Sequence, residues 1–524
     1  MNAPLLSPFA RLNRLVRRWG AHPEGRKHPA ADTEVALLPL PPRLVLPLAQ
    51  HVGAPARPIV SPGQRVQRGE LLAVAQGTIS APIHAPTSGV VLGIGDAPTA
   101  HPAGLVAPAI ILEADGADEP LPLEEAEPFA LAPAEIARRV AAAGIVGMGG
   151  ATFPAAVKLS LGQRRPIDTV ILNGGECEPY LSCDDRLMRE RADAVVDGAR
   201  IIRHAMGAAI ALIGVESNKP EAIAALRSAA KPFADVRVVP LPSRYPMGSA
   251  EQLIGWLTGR EVPADGRSAD VGVLVHNVGT AAAIQRAVRY GEPLTRRIVT
   301  VSGGALRTPR NLEVRIGTPA SALIEFCGGI KAPVARYVMG GPMMGVALRS
   351  LDVPVVKGTS GILALLPSEV GGAEPGPCIR CASCVGACPI ELMPLDMASF
   401  IRAGDLDAAL RIGLKDCIGC GTCSYVCPSQ IPLVQFFNHA KGELAARERE
   451  RTKQETVREL VEARARRMER EAREKAEAAA RRKAERERAK AAAAAAAKAA
   501  AVPVEAAPAT ATSAATAGAE EATA

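Results

Sequence analysis

Eight of the eleven cysteines fall in two short runs, Cys378-Ile379-x-Cys381-x-x-Cys384-x-x-x-Cys388-Pro389 and, 39 residues on, Cys417-Ile418-x-Cys420-x-x-Cys423-x-x-x-Cys427-Pro428. Short spacers of this kind let one loop wrap four thiolates round an iron–sulfur cube, and C-x2-C-x2-C-x3-C-P is the bacterial two-cluster run. In that arrangement the fourth cysteine crosses to the other cluster. Cys378, Cys381, Cys384 and Cys427 are therefore expected to hold one [4Fe–4S] centre, and Cys417, Cys420, Cys423 and Cys388 the other. Two zinc sites are the rival reading, although zinc modules usually split their ligands into two separated pairs; acid-labile sulfide distinguishes the two. Cys177, Cys183 and Cys327 have no matching spacing and read as ordinary thiols.

A second stretch with chemical potential is Gly147-Met148-Gly149-Gly150-Ala151-Thr152-Phe153-Pro154-Ala155-Ala156-Val157-Lys158. Glycines without Cβ let backbone N–H groups approach a phosphate, and Lys158 adds a point charge. It is not the dinucleotide fingerprint, which would need glycine where Thr152 stands; a plain turn is the alternative. Three further phrases accompany it: Asn173-Gly174-Gly175-Glu176-Cys177-Glu178-Pro179, Tyr245-Pro246-Met247-Gly248 and Asn277-Val278-Gly279-Thr280.

Several elements must position these groups. At about 100–200 residues per domain, 524 residues imply several domains. Residues 42–115 are rich in Val, Gly and Pro, and phrases such as Pro62-Gly63-Gln64-Arg65-Val66 and Ala85-Pro86-Thr87-Ser88-Gly89-Val90-Val91 resemble lipoyl/biotinyl-type β-sandwich domains. The tip that would carry a modified lysine reads Gly77-Thr78-Ile79-Ser80-Ala81, so a structural or docking role is expected. After an acidic linker (114–132), strand-like runs alternate with helical ones over 133–290, which argues a parallel α/β layer. A small β module is expected over 291–350, the cysteine repeat over 366–436, a charged helical tail over 441–500 and a disordered end over 501–524. In the tail, Glu462/Arg466, Glu469/Arg473, Glu471/Lys475 and Glu477/Arg481 place an acid four residues before a base, which supports a solvated helix.

Composition narrows the function. The net charge is +7 and aromatics are 3%, too few for the stacking surfaces of single-strand or RNA binders. From Lys441 onward there are 19 Lys+Arg against 15 Asp+Glu, so +4 of the +7 belongs to the tail. Nucleic acid is not an expected partner. No apolar run reaches the roughly 18–20 residues that span a bilayer. The basic segment 1–41 lacks a secretory pattern, which places the chain in the cytoplasm, where disulfides are disfavoured. If helical, the segment aligns Phe9, Leu12, Val16 and Trp19 on one face amid arginines, suiting an anionic membrane surface or a partner groove.

Together the motifs resemble the FMN- and NADH-binding subunit of respiratory complex I, and more closely the C subunit of the Rnf (Rsx) ion-translocating electron-transport complexes. The phrases above, Gly340-Gly341-Pro342-Met343-Met344-Gly345 and the double cysteine repeat carry that resemblance, in order, from about residue 20 to 436. It implies a complex I flavoprotein-like FMN/NADH-binding α/β domain at 133–290, a β-grasp-like module at 291–350 and a two-[4Fe–4S] ferredoxin-like domain at 366–436. It further implies that Gly147, Gly149, Gly150 and Lys158 hold the FMN phosphate side, that Asn173 and Glu176 line the flavin, and that Asn277 and Thr280 complete the pocket. By the same resemblance, Phe153, Glu178 and Tyr245 are expected to lie toward the nicotinamide nucleotide. Two positions depart from the complex I pattern: Gly175 stands where it has an aspartate, and Ala250, beside Glu251, where it has a glutamate. Hydride transfer needs no general acid or base, so no catalytic side chain is expected. A flavin is expected between NAD(H) and the clusters because it alone exchanges a two-electron hydride for single electrons. The implied protein is a peripheral electron-input subunit on the cytoplasmic face of a bacterial inner membrane, partnered by other subunits of the complex and a ferredoxin-like redox protein. The rivals are an iron–sulfur relay or scaffold without flavin, and a soluble complex I-like NADH dehydrogenase or hydrogenase subunit.

Overall fold

The computed structural model describes residues 19–161, 165–372 and 374–500; the expected amphipathic face at Phe9, Leu12 and Val16 and the expected disordered end at 501–524 lie outside them. The chain divides into two units, 1–441 and 442–524.

The first β region is a barrel-like sandwich. A four-stranded sheet runs in the order Arg43–Pro47, Val106–Ala114, Gly89–Pro98, Arg65–Val66, and faces a three-stranded sheet of Arg57–Pro58, Leu71–Val74 and Ile83–His84. All these pairings are antiparallel. Leu44, Leu46, Leu72, Ile83, Val91 and Leu112 fill the core. A Cβ on Gly89 would stand 2.0 Å from the Glu113 carbonyl, which explains glycine inside the second of the two repeated phrases.

The α/β layer is a four-stranded parallel sheet ordered Val236–Leu241, Ile210–Glu216, Thr169–Gly174, Val273–Asn277. Its strands are near-continuous apolar runs because both faces are covered. Val170, Leu172 and Leu274 pack with the helices Pro133–Ala142, Ala192–Met206 and Val278–Tyr290. On the other face Ile171, Leu212 and Val273 pack with the helix Ala250–Thr258. The chain builds this sheet outward from Thr169–Gly174 and then returns to its other side with Val273–Asn277. The order of strands therefore switches between these two, and open parallel sheets bind ligands at the carboxyl ends beside such a switch. Asn173 and Asn277, register partners, stand there.

The second β module is larger than 291–350. Its six strands run Ala36–Leu37, Arg310–Arg315, Arg296–Ser302, Gly361–Leu365, Arg336–Met339, Val346–Leu348. Gly361–Leu365 is buried at every residue and pairs with strands on both sides, so the sheet cannot close without chain from beyond residue 350. Lys357, also buried, donates from Nζ to the carbonyls of Pro82 and Gly144, each at 2.7 Å, and so ties this module to the sandwich and the α/β layer.

The cysteine region carries a short helix within each run, Ser383–Gly386 and Thr422–Tyr425, each bearing the third cysteine of its run, with the helices Pro394–Arg402 and Leu406–Arg411 between them. The long C-terminal helix is Leu433–Ala499 and starts ahead of the expected 441, because its first turns bury Leu433, Val434 and Phe437. From residue 442 to 500 nearly every residue is exposed. There Glu462 pairs with Arg466 as expected, whereas Glu471 and Glu477 reach back to Arg467 and Arg473; a glutamate flanked by bases four residues away on both sides can take either. Among the described residues no helix is long and apolar enough to cross a membrane.

Candidate flavin and iron–sulfur sites

The glycine-rich loop is pinched at its base: Gly147 N–H donates to the Phe153 carbonyl at 2.8 Å and Ala155 N–H to the Ile145 carbonyl at 3.0 Å. Gly150 takes φ +108°, a conformation open to glycine. The loop lies across the carboxyl end of Val273–Asn277. Met148 N–H donates to Thr280 Oγ1 at 2.9 Å, and a Cβ on Gly149 would stand 3.2 Å from that of Asn277. Asn277 caps the following helix by accepting from Gly279 and Thr280 and donates to Asp184 at 2.7 Å. Lys158, one turn beyond the loop, donates to the Val275 carbonyl at 3.1 Å. Gly147, Gly149, Gly150, Lys158, Asn277 and Thr280 thus meet at one sheet end.

Asn173 holds two loops there. Its amide donates to the Gly248 carbonyl at 2.8 Å and its Oδ1 accepts from Gly175 N–H at 3.0 Å. The loops touch: a Cβ on Gly175 would lie 3.3 Å from Gly248 Cα, and one on Gly248 would lie 2.3 Å from the Gly175 carbonyl. This contact accounts for glycine where the complex I pattern has an acid. Glu251 is exposed on the first turn of the helix Ala250–Thr258.

The acids of the 173–179 phrase are committed to backbone. Glu176 accepts from Asp184 N–H at 2.9 Å and Asp185 N–H at 3.2 Å, capping the helix Cys183–Glu190. Glu178 accepts from Met343 and Met344 at 3.0 and 2.9 Å, and burial pushes its carboxyl up to about 7. A Cβ on Gly341 would run into that carboxylate, which explains the glycine two residues before Met343. Phe153 is half-buried in the glycine loop. Tyr245 is 2% exposed, and its hydroxyl donates to the carbonyl of Cys420 at 2.7 Å, turning it to the cysteine region.

Sequence reading missed the partners that arrive from far away. Lys27, from the N-terminal segment, donates to the carbonyls of Glu176, Glu178 and Leu181, the first two at 2.9 and 3.1 Å. Lys219, buried and ion-paired to Glu216 at 2.5 Å, approaches the same Glu176 carbonyl at 3.4 Å. Their signal, isolated lysines with no motif, is indistinguishable from surface charge in a sequence. His276, 2% exposed, has no hydrogen-bond partner at either ring nitrogen.

The eight cysteines assemble in two crossed sets. Cys378, Cys381, Cys384 and Cys427 line one cavity, and Cys388, Cys417, Cys420 and Cys423 line another. Among the described residues no group of three such side chains converges on a single-ion site. Four thiols spread round a cavity suit a cluster several ångström across better than one Zn2+ ion. The second set is the more enclosed, with Cys420 and Cys423 buried, whereas Cys378 and Cys381 are exposed. It also abuts the α/β layer. Besides Tyr245, Gln252 Nε2 donates to the Pro389 carbonyl at 2.7 Å, and Gly20 N–H donates to the Ala387 carbonyl at 2.9 Å.

Comparison with known proteins matches four family models in this order: the RnfC barrel sandwich hybrid domain over residues 17–117, the Nuo51 FMN-binding domain over 140–286, the SLBB domain over 298–347 and a 4Fe-4S dicluster domain over 377–431. The chain is 49% identical over 433 residues to the C subunit of the ion-translocating oxidoreductase complex of Rhodobacter capsulatus, covering 82% of this chain and 83% of that one. It is 44% identical over 444 residues to the C subunit of the proton-translocating ferredoxin:NAD(+) oxidoreductase complex of Clostridium ljungdahlii, covering 83% and 96%. With the C subunit of the ion-translocating oxidoreductase complex of Pseudomonas aeruginosa the identity is 46% over 434 residues, 82% of this chain and 56% of the other. The donor sets fit what these domains hold: four thiols line each of two cavities, and a glycine loop stands with Lys158 at the carboxyl end of the parallel sheet.

Proposed function

The chain belongs to the C-subunit family of ion-translocating (Rnf) oxidoreductase complexes, and from that premise we propose that it is the electron-input subunit, passing electrons between NAD(H), FMN and two [4Fe–4S] clusters. A bound FMN supplies the exchange between a two-electron hydride and the single electrons that iron–sulfur centres take. The residues of this chain supply placement. Gly147, Gly149, Gly150 and Lys158 seat the phosphate end, Asn173, Glu176, Asn277 and Thr280 shape the flavin pocket, and Phe153 and Glu178 border the nicotinamide side. Tyr245 serves the junction between this pocket and the cysteine region.

One observation carries the reading: the Cys388/Cys417/Cys420/Cys423 site is bonded directly to the α/β layer through Tyr245 and Gln252. This site is the one nearest the flavin, and the Cys378/Cys381/Cys384/Cys427 site, where Ile379 is 66% exposed, is the exit toward a ferredoxin-like protein or other subunits. We place the protein peripherally at the cytoplasmic face of the bacterial inner membrane and read the 291–350 segment as a β-grasp-like module. The test is anaerobic purification with flavin, iron and sulfide analysis and an NADH-reduced spectrum. Flavin bleaching together with cluster reduction is expected; clusters without flavin support a bare relay instead.

A further inference from the structure

His276 is the penultimate residue of the edge strand Val273–Asn277, at the carboxyl end beside the point where the strand order switches. It is 2% exposed and neither ring nitrogen has a partner. A buried polar group left unbonded costs on the order of 1–3 kcal/mol, so a histidine kept here implies a partner that the polypeptide does not contain. Its neighbour is similarly short of partners. The Lys158 ammonium, partly buried, spends one N–H on the Val275 carbonyl, and among the described residues no carboxylate pairs with it. A partly desolvated cation without an anion adds to the cost of the orphan imidazole. Both groups stand where the glycine-rich loop crosses the strand end, with Gly149 packed on Asn277 and Met148 bonded to Thr280.

We propose that His276 is a ligand of the flavin phosphate, donating one ring N–H to a dianion that Lys158 neutralises and the glycine loop encloses. The ring is well suited to this. Burial and the adjacent Lys158 charge keep it neutral, so it donates one hydrogen bond without adding a second buried charge. A single water could satisfy the imidazole but would leave the Lys158 charge uncompensated, whereas a phosphate answers both. The inference rests on the flavin reading above and adds a residue to it, one that carries no glycine-loop or asparagine signature in the sequence.

The test compares FMN with riboflavin, which differ only in the phosphate. The full chain is stripped of flavin and titrated with each by fluorescence quenching, wild type against His276→Leu and His276→Gln. His276→Leu is expected to weaken FMN binding about tenfold or more, the loss of a hydrogen bond to a charged group, and to leave riboflavin binding unchanged. His276→Gln, which keeps an N–H donor, should recover part of the FMN affinity, and the 31P resonance of bound FMN should shift in both variants. Thermal melting of the flavin-free chains checks the fold: removing an orphan imidazole should not lower the midpoint. Equal loss of FMN and riboflavin binding, no loss of either, or loss of NADH binding in place of FMN overturns the proposal. A wild-type chain that binds neither flavin overturns the flavin reading itself, and this inference with it.

Discussion

The two cysteine runs share a spacing and differ in nearly everything around it. In the second run the residues between ligands that take left-handed backbone are Gly419 and Gly421, at φ +67° and +76°. In the first the equivalent positions are Arg380 and Ala382, at +54° and +60°, where a side chain costs roughly 1–2 kcal/mol. A Cβ on Gly421 would stand 3.0 Å from the Met343 carbonyl, so the second loop is glycine for closeness as well as conformation. The first loop shows Ile379 and two of its cysteines to solvent. A repeated motif thus sits in two settings, one loop packed inward against the α/β layer and the other exposed.

The largest break in this comparison comes from the ligands. Cys423→Ala should abolish NADH-driven reduction of the remaining cluster, whereas Cys381→Ala should leave one cluster that NADH still reduces; low-temperature EPR after NADH addition, with iron analysis, reads both. The reverse pattern would exchange the two roles. Next comes Glu178, which holds the Met343-Met344 backbone against the second loop. Its carboxyl is raised from 4.5 to about 7 by burial, so between those values the folded chain binds more protons than the unfolded one. Stability should then fall as pH rises through this window, by about 3 kcal/mol at most. Denaturant midpoints at pH 4.5, 5.5 and 7 should show that slope in the wild type and a flatter one in Glu178→Gln. Gly421→Ala should cost about 2 kcal/mol in the same assay, from strained φ plus the Met343 contact. Tyr245→Phe should cost about 1 kcal/mol, one hydrogen bond to the Cys420 carbonyl. The smallest effect has the opposite sign: Ala382→Gly should stabilise the first loop by about 0.5–1 kcal/mol. A destabilising result there would show that the two loops are held alike.

What could be read from the sequence followed from locality. The cysteine sets are legible because cluster ligands recur at short fixed spacings, and even the crossing of Cys388 and Cys427 is implied by the paired runs. The parallel sheet is legible because strands such as Ile210–Glu216 are unbroken apolar runs between helical ones. The glycine loop and the Asn-Val-Gly-Thr phrase are legible as backbone chemistry, glycines for close approach and an asparagine for a helix cap. Lys27, Lys219 and His276 are not, because nothing within ten residues of Lys27 indicates that three carbonyls from 176–181 will surround it. Tyr245 was visible as a motif residue, but its partner, the Cys420 carbonyl, lies 175 residues away. The same distance effect hid the full extent of the second β module, whose sheet needs residues 36–37 and 361–365.

The segment around residues 20–27 has a bearing on how the protein is made. Gly20 bonds to Ala387, Ala21 exchanges two backbone bonds with Tyr245, Arg26 reaches Tyr180 and Glu369, and Lys27 sits under the 176–181 loop. On the ribosome these early residues wait for partners translated far later; at about 5–20 residues per second, Ala387 follows Gly20 by roughly 20–70 s. Contacts of such high sequence separation form late. The bonds of Gly20, Tyr245 and Gln252 to Ala387, Cys420 and Pro389 therefore wait for the cysteine region to be synthesised, whereas Lys27 can close on the 176–181 loop well before it.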